Sequence, residues 1–416
     1  MCRRTRPSGI PPPRARAAWV ASTIFPAPSV AVVRAPVIQA RAVAPAAVSE
    51  FQPNIKWGGR SVSVDVAPGQ NQVALVETES GGLFKTTDAG GSWSHVDGLL
   101  PFRMSDVKYA PGNVAIVIAT TWQNSDTQSQ GGIFRSTDGG TTWAKATLAG
   151  SSPICGGGNF FANGIAFEPG SNNVYVGVAC GLAVSPDLGA TWTLTSLPSF
   201  KQVQAVVAQT GGIINLCADD GLYRYTNTGG VLTRTNGPVT LPGGSSTCFQ
   251  GNGYVPGTHN LGAAPQETNV LFTVGTGTST SACGGTVATP AGVLVLFESD
   301  DGGATWNSLG SNSFRCGSRQ PFIGTHVSRD GVAADFDLYW SGGLDVSRAT
   351  CTPCVSGNRC TSAMNPTSAN VVLAPTAFGA MAFRPPSNCA HELVTARPPL
   401  NPTHRRAHFH GPAPHC

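Results

Sequence analysis

The chain has 416 residues, of which 12% are charged, and it contains 51 glycines and 32 prolines. This composition is typical of many short strands joined by turns, and the absence of any run of 18 apolar residues argues against a membrane-spanning helix. The net charge of +4 comes from the two ends, because residues 51–384 hold 16 basic and 20 acidic residues. A mildly acidic body argues against a nucleic-acid partner.

The first 50 residues are rich in Arg, Ala and Pro and show no strand pattern. This composition predicts a disordered or processed leader. Three origins stay open: a secretory signal with a weak apolar core at 17–25, an organellar transit peptide, or a start codon upstream of the true one. We therefore expect the folded domain to begin at residue 51.

One short pattern, Ser/Thr-x-Asp-x-Gly-x-Ser/Thr-Trp, occurs four times in the chain. Its Asp and Trp residues are Asp88 and Trp93, Asp138 and Trp143, Asp187 and Trp192, and Asp301 and Trp306. The first three copies recur every 49 or 50 residues, a period typical of propellers and solenoids. Each copy follows an apolar run and ends on Trp, which predicts two strands around a tight turn whose Asp accepts backbone N–H groups.

This pattern resembles the Asp-box, or BNR, repeat of the sialidase-like and xyloglucanase-like β-propellers. The resemblance implies an all-β fold, a single β-propeller of six to seven four-stranded blades over residues 51–390 with an incomplete last blade. In those families the Asp-box lies on the turn between the third and fourth strands of a blade, away from the ligand face. The resemblance therefore implies structural roles for the four Asp and four Trp residues.

The blades can be placed along the chain from the apolar runs and turns. We predict blades 1 to 3 over about 57–98, 104–146 and 162–197, blade 5 over about 259–309, and blade 6 around 332–346. Blade 4 is degenerate, because Asn227 and Leu232 stand where the other copies have Asp and Trp. We expect Asn227 to make the same turn, since Asn tolerates similar backbone geometry.

A seventh blade begins with an inner strand near residues 379–384, and then the composition changes abruptly. Residues 391–416 are rich in His, Pro and Arg. We expect this tail to be disordered, and we interpret it as a truncated or out-of-frame end.

Ten of the 12 cysteines lie between residues 155 and 389. An even number in loops and beside strands favours disulfides in an oxidising compartment. This predicts a secreted, periplasmic or cell-surface protein, with an organelle lumen as the alternative. Cys351, Cys354 and Cys360 have zinc-like spacing, but no fourth ligand follows at a suitable distance, so we assign no metal and no cofactor.

The long connections of the predicted blades carry aromatic residues that suit a ligand site. These candidate binding residues are Trp122, Phe160, Phe161, Phe249 and Tyr254. Aromatic rings beside Asn and Gln match sugar rings, which have apolar faces and hydroxyl edges. The alternative is that these aromatics cover the blade rims. The expected partners are a polysaccharide or other glycan, or a protein ligand.

Catalysis by a glycoside hydrolase requires two carboxyl groups flanking the scissile bond. Glu77-Thr78-Glu79-Ser80-Gly81-Gly82 resembles the early catalytic segment of two-propeller xyloglucanases, with Glu79 at the catalytic Asp position and Glu77 in place of Arg. In those enzymes the second carboxylate comes from the other propeller, for which this chain offers no repeats.

Other candidate acids are Asp335 and Asp337, which are two residues apart and so on one face of a strand. Asp65, Asp106 and Glu168 lie near predicted inner strands. For all of these the alternative is a solvated edge or turn carboxylate.

The sequence thus favours a non-catalytic Asp-box propeller that binds glycan or protein ligands outside the cytoplasm. Two alternatives stay open. One is a xyloglucanase-like glycoside hydrolase with Glu79 as its acid. The other is an assembly factor resembling the single-propeller photosystem II stability proteins, which carry similar repeats.

Overall fold

The computed structural model describes the following parts of the chain: residues 50–51, 61–78, 81–99, 103–121, 131–149, 161–196, 202–242, 260–264, 267–277, 293–308, 315–316, 322–327, 336–341, 346–351, 380–384, 392–396 and 407–408. They belong to one compact unit, Ala46–Cys416. Their regular structure is β-strand, and none of them forms a helix long and apolar enough to cross a membrane.

The strands of the first half follow one another as antiparallel sheets in chain order. After β1 (Glu50–Phe51), the first sheet contains β2 (Ser61–Val66), β3 (Ala74–Thr78), β4 (Gly82–Thr86) and β5 (Ser94–His95). The second contains β6 (Met104–Ala110), β7 (Asn113–Thr121), β8 (Gly132–Ser136) and β9 (Ala144–Lys145). The third contains β10 (Leu148–Ala149), β11 (Ala162–Phe167), β12 (Val174–Val178), β13 (Gly181–Ser185) and β14 (Trp192–Ser196).

The second half continues the same arrangement. The fourth sheet contains β15 (Val203–Gln209), β16 (Ile213–Ala218), β17 (Gly221–Thr228) and β18 (Val231–Val239). The fifth contains β19 (Leu261–Ala263), β20 (Leu271–Gly277), β21 (Val293–Ser299), β22 (Asn307–Ser308) and β23 (Arg315–Cys316). The sixth contains β24 (Phe322–Val327), β25 (Phe336–Ser341) and β26 (Val346–Cys351), and the seventh contains β27 (Ala380–Arg384) and β28 (Glu392–Ala396).

The innermost strands of the seven sheets contact one another in a closed cycle. In the third sheet this strand is β11, since β10 lies at the outer end. In order these strands are β2, β6, β11, β15, β19, β24 and β27, and β27 contacts β2 again. Each sheet therefore has a neighbour on both faces, which explains why β3 and β12 are buried along their whole length. Such strands are expected to be almost continuously apolar, as Val174-Tyr175-Val176-Gly177-Val178 is.

The hydrophobic core lies between the faces of successive sheets. Between the first and second sheets, Leu75 and Leu83 pack with Val107 and Val117, and all four are fully buried. Between the third and fourth, Tyr175 packs with Ile214 and Leu216 in the same way. Burial of one such side chain stabilises the fold by about 1.5–3 kcal/mol, so these interfaces contribute much of the stability.

The fourth sheet survives, but its turn differs from the predicted one. β17 and β18 run past Asn227, which pairs with Leu232, and end in a two-residue hairpin at Gly229 and Gly230. Both glycines have positive φ, 59° and 88°, which a tight hairpin of this kind requires. The Gly-Gly pair therefore replaces the Asp-box turn with a hairpin, and Asn227 supports it by accepting the N–H of Gly230 at 3.0 Å.

Some predicted boundaries also differ at the C-terminal end. The sixth sheet begins at Phe322 and ends at Cys351, a wider span than the predicted 332–346. β27 coincides with the predicted seventh inner strand. β28 and β29 (Ala407–His408) lie within the segment 391–416 predicted as a tail, and β29 pairs with β1. The domain boundaries stay predictions.

Two cysteines of the third and fourth sheets take part in disulfide bonds. Cys180 lies in the turn between β12 and β13, and Cys217 lies in β16. Both are buried. The wider disulfide framework and the oxidising compartment stay predictions.

Candidate functional site

The carboxylates of the first strands connect neighbouring sheets. Asp106 in β6 accepts a hydrogen bond from the Ser63 hydroxyl of the first sheet at Oδ1, at 2.7 Å. Its Oδ2 accepts the backbone N–H of Ile165 in the third sheet at 2.9 Å. Asp106 is 1% exposed. One buried carboxylate therefore ties three consecutive sheets together.

Two further carboxylates make the same kind of contact. Asp65 in β2 accepts the backbone N–H of Tyr109 in the second sheet at 2.7 Å. Glu168, just after β11, accepts the N–H of Gly212 in the fourth sheet at 2.8 Å and the hydroxyl of Tyr175 at 3.0 Å. The sequence offered two interpretations for Asp65, Asp106 and Glu168, catalytic acids or solvated edge groups. The structure instead uses them as bridges between sheets.

A group of buried and partly buried ionisable side chains surrounds the first of these bridges. We call Asp65, Glu77, Asp106 and Lys108 the carboxylate–lysine cluster. The Lys108 ammonium lies 4.0 Å from Asp106 Oδ1. Burial acts to lower the pKa of Lys108, but the charges of Asp106, Asp65 and Glu77 outweigh it and leave that pKa above its usual value. Burial raises the pKa of Asp65 to about 6.

Glu77 is the unusual member of this cluster. It lies in β3 opposite Ser63 and is fully buried. Neither of its carboxylate oxygens has a hydrogen-bond partner among the described residues. Burial, and then the charge of Asp106, raise the pKa of Glu77 well above its usual value, against the opposing effect of Lys108. Inside the fold, burial and the nearby charge of Asp106 therefore favour the protonated, neutral form of Glu77.

This role of Glu77 does not follow from the motif resemblance, in which Glu77 stands only as the replacement for an Arg. The signal that could have found it is local: Ala74-Leu75-Val76-Glu77-Thr78 forms a central strand whose other members are apolar or small. A carboxyl group there is expected to be neutral or paired. Because Glu77 has no exposed surface, it offers no contact to a ligand from solvent.

The four Asp-box turns share one hydrogen-bond pattern. At the second copy, Ser136 donates to Asp138 Oδ1 at 2.8 Å. Asp138 also accepts the backbone N–H of Thr142 at 2.8 Å and its hydroxyl at 2.6 Å. The same three contacts occur at Asp88, Asp187 and Asp301. The hydroxyl and backbone N–H of Ser92, with the hydroxyl of Thr86, lower the pKa of Asp88 to about 2.

These contacts fully engage the Asp-box carboxylates in their own turns. The Trp of the turn adds one more contact, since the Trp192 indole N–H donates to the Gly189 carbonyl at 2.9 Å. Trp143 and Trp306 donate to Gly140 and Gly303 in the same way. This pattern supports the structural assignment of the four Asp residues and of Trp143, Trp192 and Trp306; the structural role of all eight residues stays our proposal.

A cation reaches from one sheet to the next Asp-box turn. Lys85 in β4 donates to the Gly139 carbonyl at 2.7 Å, and Arg135 in β8 donates from Nε to the Leu188 carbonyl at 2.8 Å. Lys85 and Arg135 occupy the same position, the fourth residue of the third strand in their sheets. The third strands of the first and second sheets therefore each carry a connection to the following sheet.

Solved structures share this arrangement of sheets. An ancestral GH74 enzyme superposes with a TM-score of 0.52 at 18% identity, over 74% of this chain and 38% of that chain. YCF48 from Cyanidioschyzon merolae gives a TM-score of 0.50 at 12% identity, over 87% of this chain and 98% of that chain. U3-55K gives 0.52 at 9% identity, over 84% and 94%.

The fold is a β-propeller. The predicted all-β propeller fold and the predicted similarity to xyloglucanase-like and photosystem II stability factor-like propellers are confirmed, and the predicted number of blades is consistent with the structure. At these identities the likeness establishes the fold alone, and this chain spans 38% of the GH74 enzyme's length. Neither a scan of protein-family models nor a search of curated proteins finds a match.

Most of the predicted ligand and catalytic residues of the propeller lie outside the described residues. These are Glu79, Asp335, Trp122, Phe160, Phe249 and Tyr254. Asp337 lies in β25, in register with His326 and Thr350. Phe161 directly precedes β11, and its carbonyl accepts the N–H of Ala179 at 3.0 Å. Their assignments stay proposals.

The strand directions fix where the long connections attach to each blade. In the second blade (β6–β9), β7 ends at Thr121 and β8 begins at Gly132, at the end of the sheet opposite the Asp-box turn. The Asp-box turn instead meets the turn between the first two strands, since the N–H of Gly139 donates to the Ala115 carbonyl at 2.9 Å. The predicted ligand loops and the Asp boxes therefore attach to opposite ends of the strands.

Proposed function

We propose that this chain is a non-catalytic β-propeller that binds glycan or protein ligands outside the cytoplasm. The ligand residues are Trp122, Phe160, Phe161, Phe249 and Tyr254, on the connections opposite the Asp-box turns. The observation that carries this proposal is the engagement of Asp65, Asp106 and Glu168 between blades.

A glycoside hydrolase needs two carboxyl groups that reach the glycosidic bond. Asp106 and Glu168 are 1% and 7% exposed, and their oxygens accept protein hydrogen bonds. Glu77 has the raised pKa that a general acid needs, but it is fully buried in the strand next to the first. The described carboxylates of the inner strands therefore support binding more than hydrolysis.

The enzyme alternative depends on Glu79, two residues beyond Glu77 in the chain. The similarity to a GH74 enzyme supports it. The likeness covers 38% of that enzyme. Among the side chains that the structure describes, we identify no second carboxylate for the reaction. If this chain is an enzyme, it is a xyloglucanase-like hydrolase, and Glu79 is the residue to test.

The assembly-factor alternative is supported by the extent of the likeness to YCF48. That likeness covers 98% of the YCF48 chain, so the propeller described here has about the extent of that whole chain. The arginines of residues 51–384 are scattered along the sequence and form no run, which gives this alternative less support.

The deciding experiment incubates the purified protein with a panel of insoluble and soluble polysaccharides and records retention and the release of reducing ends. We expect retention without release, and we expect Trp122→Ala and Phe249→Ala to weaken retention. Tyr225→Phe, a change at a buried ring between blades, is the control for the loss of one polar group. Release that disappears in Glu79→Gln would make the protein a hydrolase, and neither retention nor release would favour a protein partner.

A further inference from the structure

A groove of about 620 Å³ lies between the Asp-box turns of the second and third blades. Its walls include Trp143 and Lys145 from the second blade and Thr191 and Trp192 from the third. The chain crosses between the blades here: after β9, strand β10 pairs in parallel with β14, at Leu148↔Trp192 and Ala149↔Thr193. This crossing forms one side of the groove. A volume of this size is typical of ligand pockets.

The ionisable side chains that line the groove are basic. Its described lining residues include Arg135 and Lys145 and no carboxylate. The nearby carboxylates of Asp138 and Asp187 are held within their own turns by Thr142 and Thr191. Arg135 uses Nε for the Leu188 carbonyl, and its other four N–H groups donate to no acceptor among the described residues. A guanidinium with four N–H groups left at a pocket wall is suited to a carboxylate or similar anion.

The aromatic walls add a second requirement on the ligand. The indole N–H groups of Trp143 and Trp192 already donate to Gly140 and Gly189. Trp192 is 2% exposed, so the apolar surface offered to a ligand is that of Trp143, which is half-buried. Threonine hydroxyls, such as those of Thr142 and Thr191, line the same space. A ligand that matches this groove has an apolar ring face, hydroxyl edges and a negative charge.

We propose that this groove binds an acidic saccharide, a sugar ring that carries a carboxylate. The ring packs on Trp143, and the carboxylate pairs with Arg135 and Lys145. An extended peptide cannot add to β14 here, because the outer edge of β14 is already paired with β10. This site is separate from the loop residues of the proposed function and does not depend on them.

Arg135→Lys tests the proposal without removing the contact between blades. Lysine can keep that contact, because Lys85 at the equivalent position already donates to the Gly139 carbonyl. The change removes the remaining guanidinium donors. The probe is a short oligogalacturonate, and its fully methyl-esterified form is the matched neutral control. Binding is measured by titration calorimetry at low salt, with tryptophan fluorescence as a second readout.

We expect the acidic oligosaccharide to bind at least about tenfold more tightly than its ester, since a charged hydrogen bond contributes that much. Arg135→Lys should weaken binding of the acidic oligosaccharide about tenfold. Trp143→Ala should weaken the binding of both oligosaccharides, and Lys85→Arg should leave binding unchanged. If Arg135→Lys lowers the melting temperature, Lys145→Gln replaces it, because Lys145 is exposed.

Three results would overturn the proposal. The first is equal binding of acid and ester, and the second is binding that neither Arg135→Lys nor Lys145→Gln weakens. The third is tight binding of a glutamate-rich peptide without binding of the oligogalacturonate, which would assign the groove to a protein ligand. The loop variant Trp122→Ala should leave oligogalacturonate binding here unchanged, so failure at one site is distinguishable from failure at the other.

Discussion

Arg135 donates from Nε to the backbone carbonyl of Leu188, at 2.8 Å, across the boundary between the second and third blades. Leu188 lies in the Asp-box turn with a positive φ of 54°, a conformation that non-glycine residues seldom adopt. The guanidinium therefore supports the turn at its most strained residue. Lys85 supports the turn of the second blade through Gly139 in the same way.

The exceptions to this pattern follow from the turns. The equivalent residue of the third blade is Val184, and the blade it faces has the Gly229-Gly230 hairpin where an Asp-box would be. Val184 and Leu232 both pack there against the same hydrophobic core. Arg224 of the fourth blade donates to the Thr268 carbonyl at 3.1 Å, beside the next Asp-box turn. A basic residue therefore occupies this position in the first, second and fourth blades, each of which precedes a blade with an Asp-box turn.

We predict that Arg135→Ala lowers the free energy of unfolding by about 1–2 kcal/mol, because it removes one charge-assisted hydrogen bond and leaves the Leu188 carbonyl without this donor. Urea unfolding followed by tryptophan fluorescence measures the change. Arg135→Lys is the control and should retain most of the stability. Equal destabilisation by the two substitutions would show that the guanidinium acts through packing instead.

The fold could be predicted from the sequence because its signal is local. The turn around Asp138 is specified by Ser136, Asp138, Thr142 and Trp143, all within eight residues. The prediction of an Asp-box turn at Asn227 was wrong. The segment keeps the Asp-box spacing, but Gly229 and Gly230 both adopt positive φ and form a tighter hairpin.

The bridges between blades could not be predicted in the same way. Asp106 is linked to Ser63 and Ile165, residues 43 and 59 positions away, and no local pattern specifies such partners. Lys85 and Arg135 occupy equivalent positions in Gly-Leu-Phe-Lys-Thr and Gly-Ile-Phe-Arg-Ser. Comparing the repeats at that position could have identified them, but only the packing of blades shows which carbonyl each one reaches.

We predict that Asp106→Ala is strongly destabilising, by about 3 kcal/mol or more, because it leaves Ser63, the Ile165 N–H and the Lys108 ammonium without their shared acceptor. Chemical unfolding at pH 7 measures it. Asp97→Ala is the control, since the Asp97 side chain is 94% exposed and its loss should change stability by less than about 0.5 kcal/mol. Similar values for both would contradict the bridging role.

Alanine substitutions at two glycines test how closely the Asp-box turn of the third blade approaches the second blade. Gly189 and Gly170 both have positive φ, 82° and 74°. A Cβ on Gly189 would clash with Ile118, while a Cβ on Gly170 would meet nothing within 4 Å. Gly170→Ala should cost about 1 kcal/mol from backbone strain, and Gly189→Ala should cost more. Thermal or urea unfolding measures the change. Equal losses of stability in the two variants would show that the Ile118 side chain moves aside without cost.

The buried carboxyl of Glu77 predicts a pH dependence of stability. Because its pKa is raised in the folded state, the folded protein keeps a proton that the unfolded chain loses above about pH 4.5. The wild-type free energy of unfolding should therefore fall as the pH rises above that value, by up to about 1.4 kcal/mol per pH unit, until Glu77 ionises in the folded state. Asp65 contributes with the same sign between its ordinary pKa of 3.8 and its raised pKa of about 6.

Glu77→Gln removes this dependence, since glutamine does not ionise. We expect the stability of Glu77→Gln relative to wild type to increase between pH 6.5 and 8, a range above the pKa of Asp65, when both are unfolded with urea at each pH. Glu77→Leu is the control for the lost carboxyl group and should show the same trend with a different offset. Parallel curves for wild type and both variants would mean that Glu77 does not hold its proton in this range.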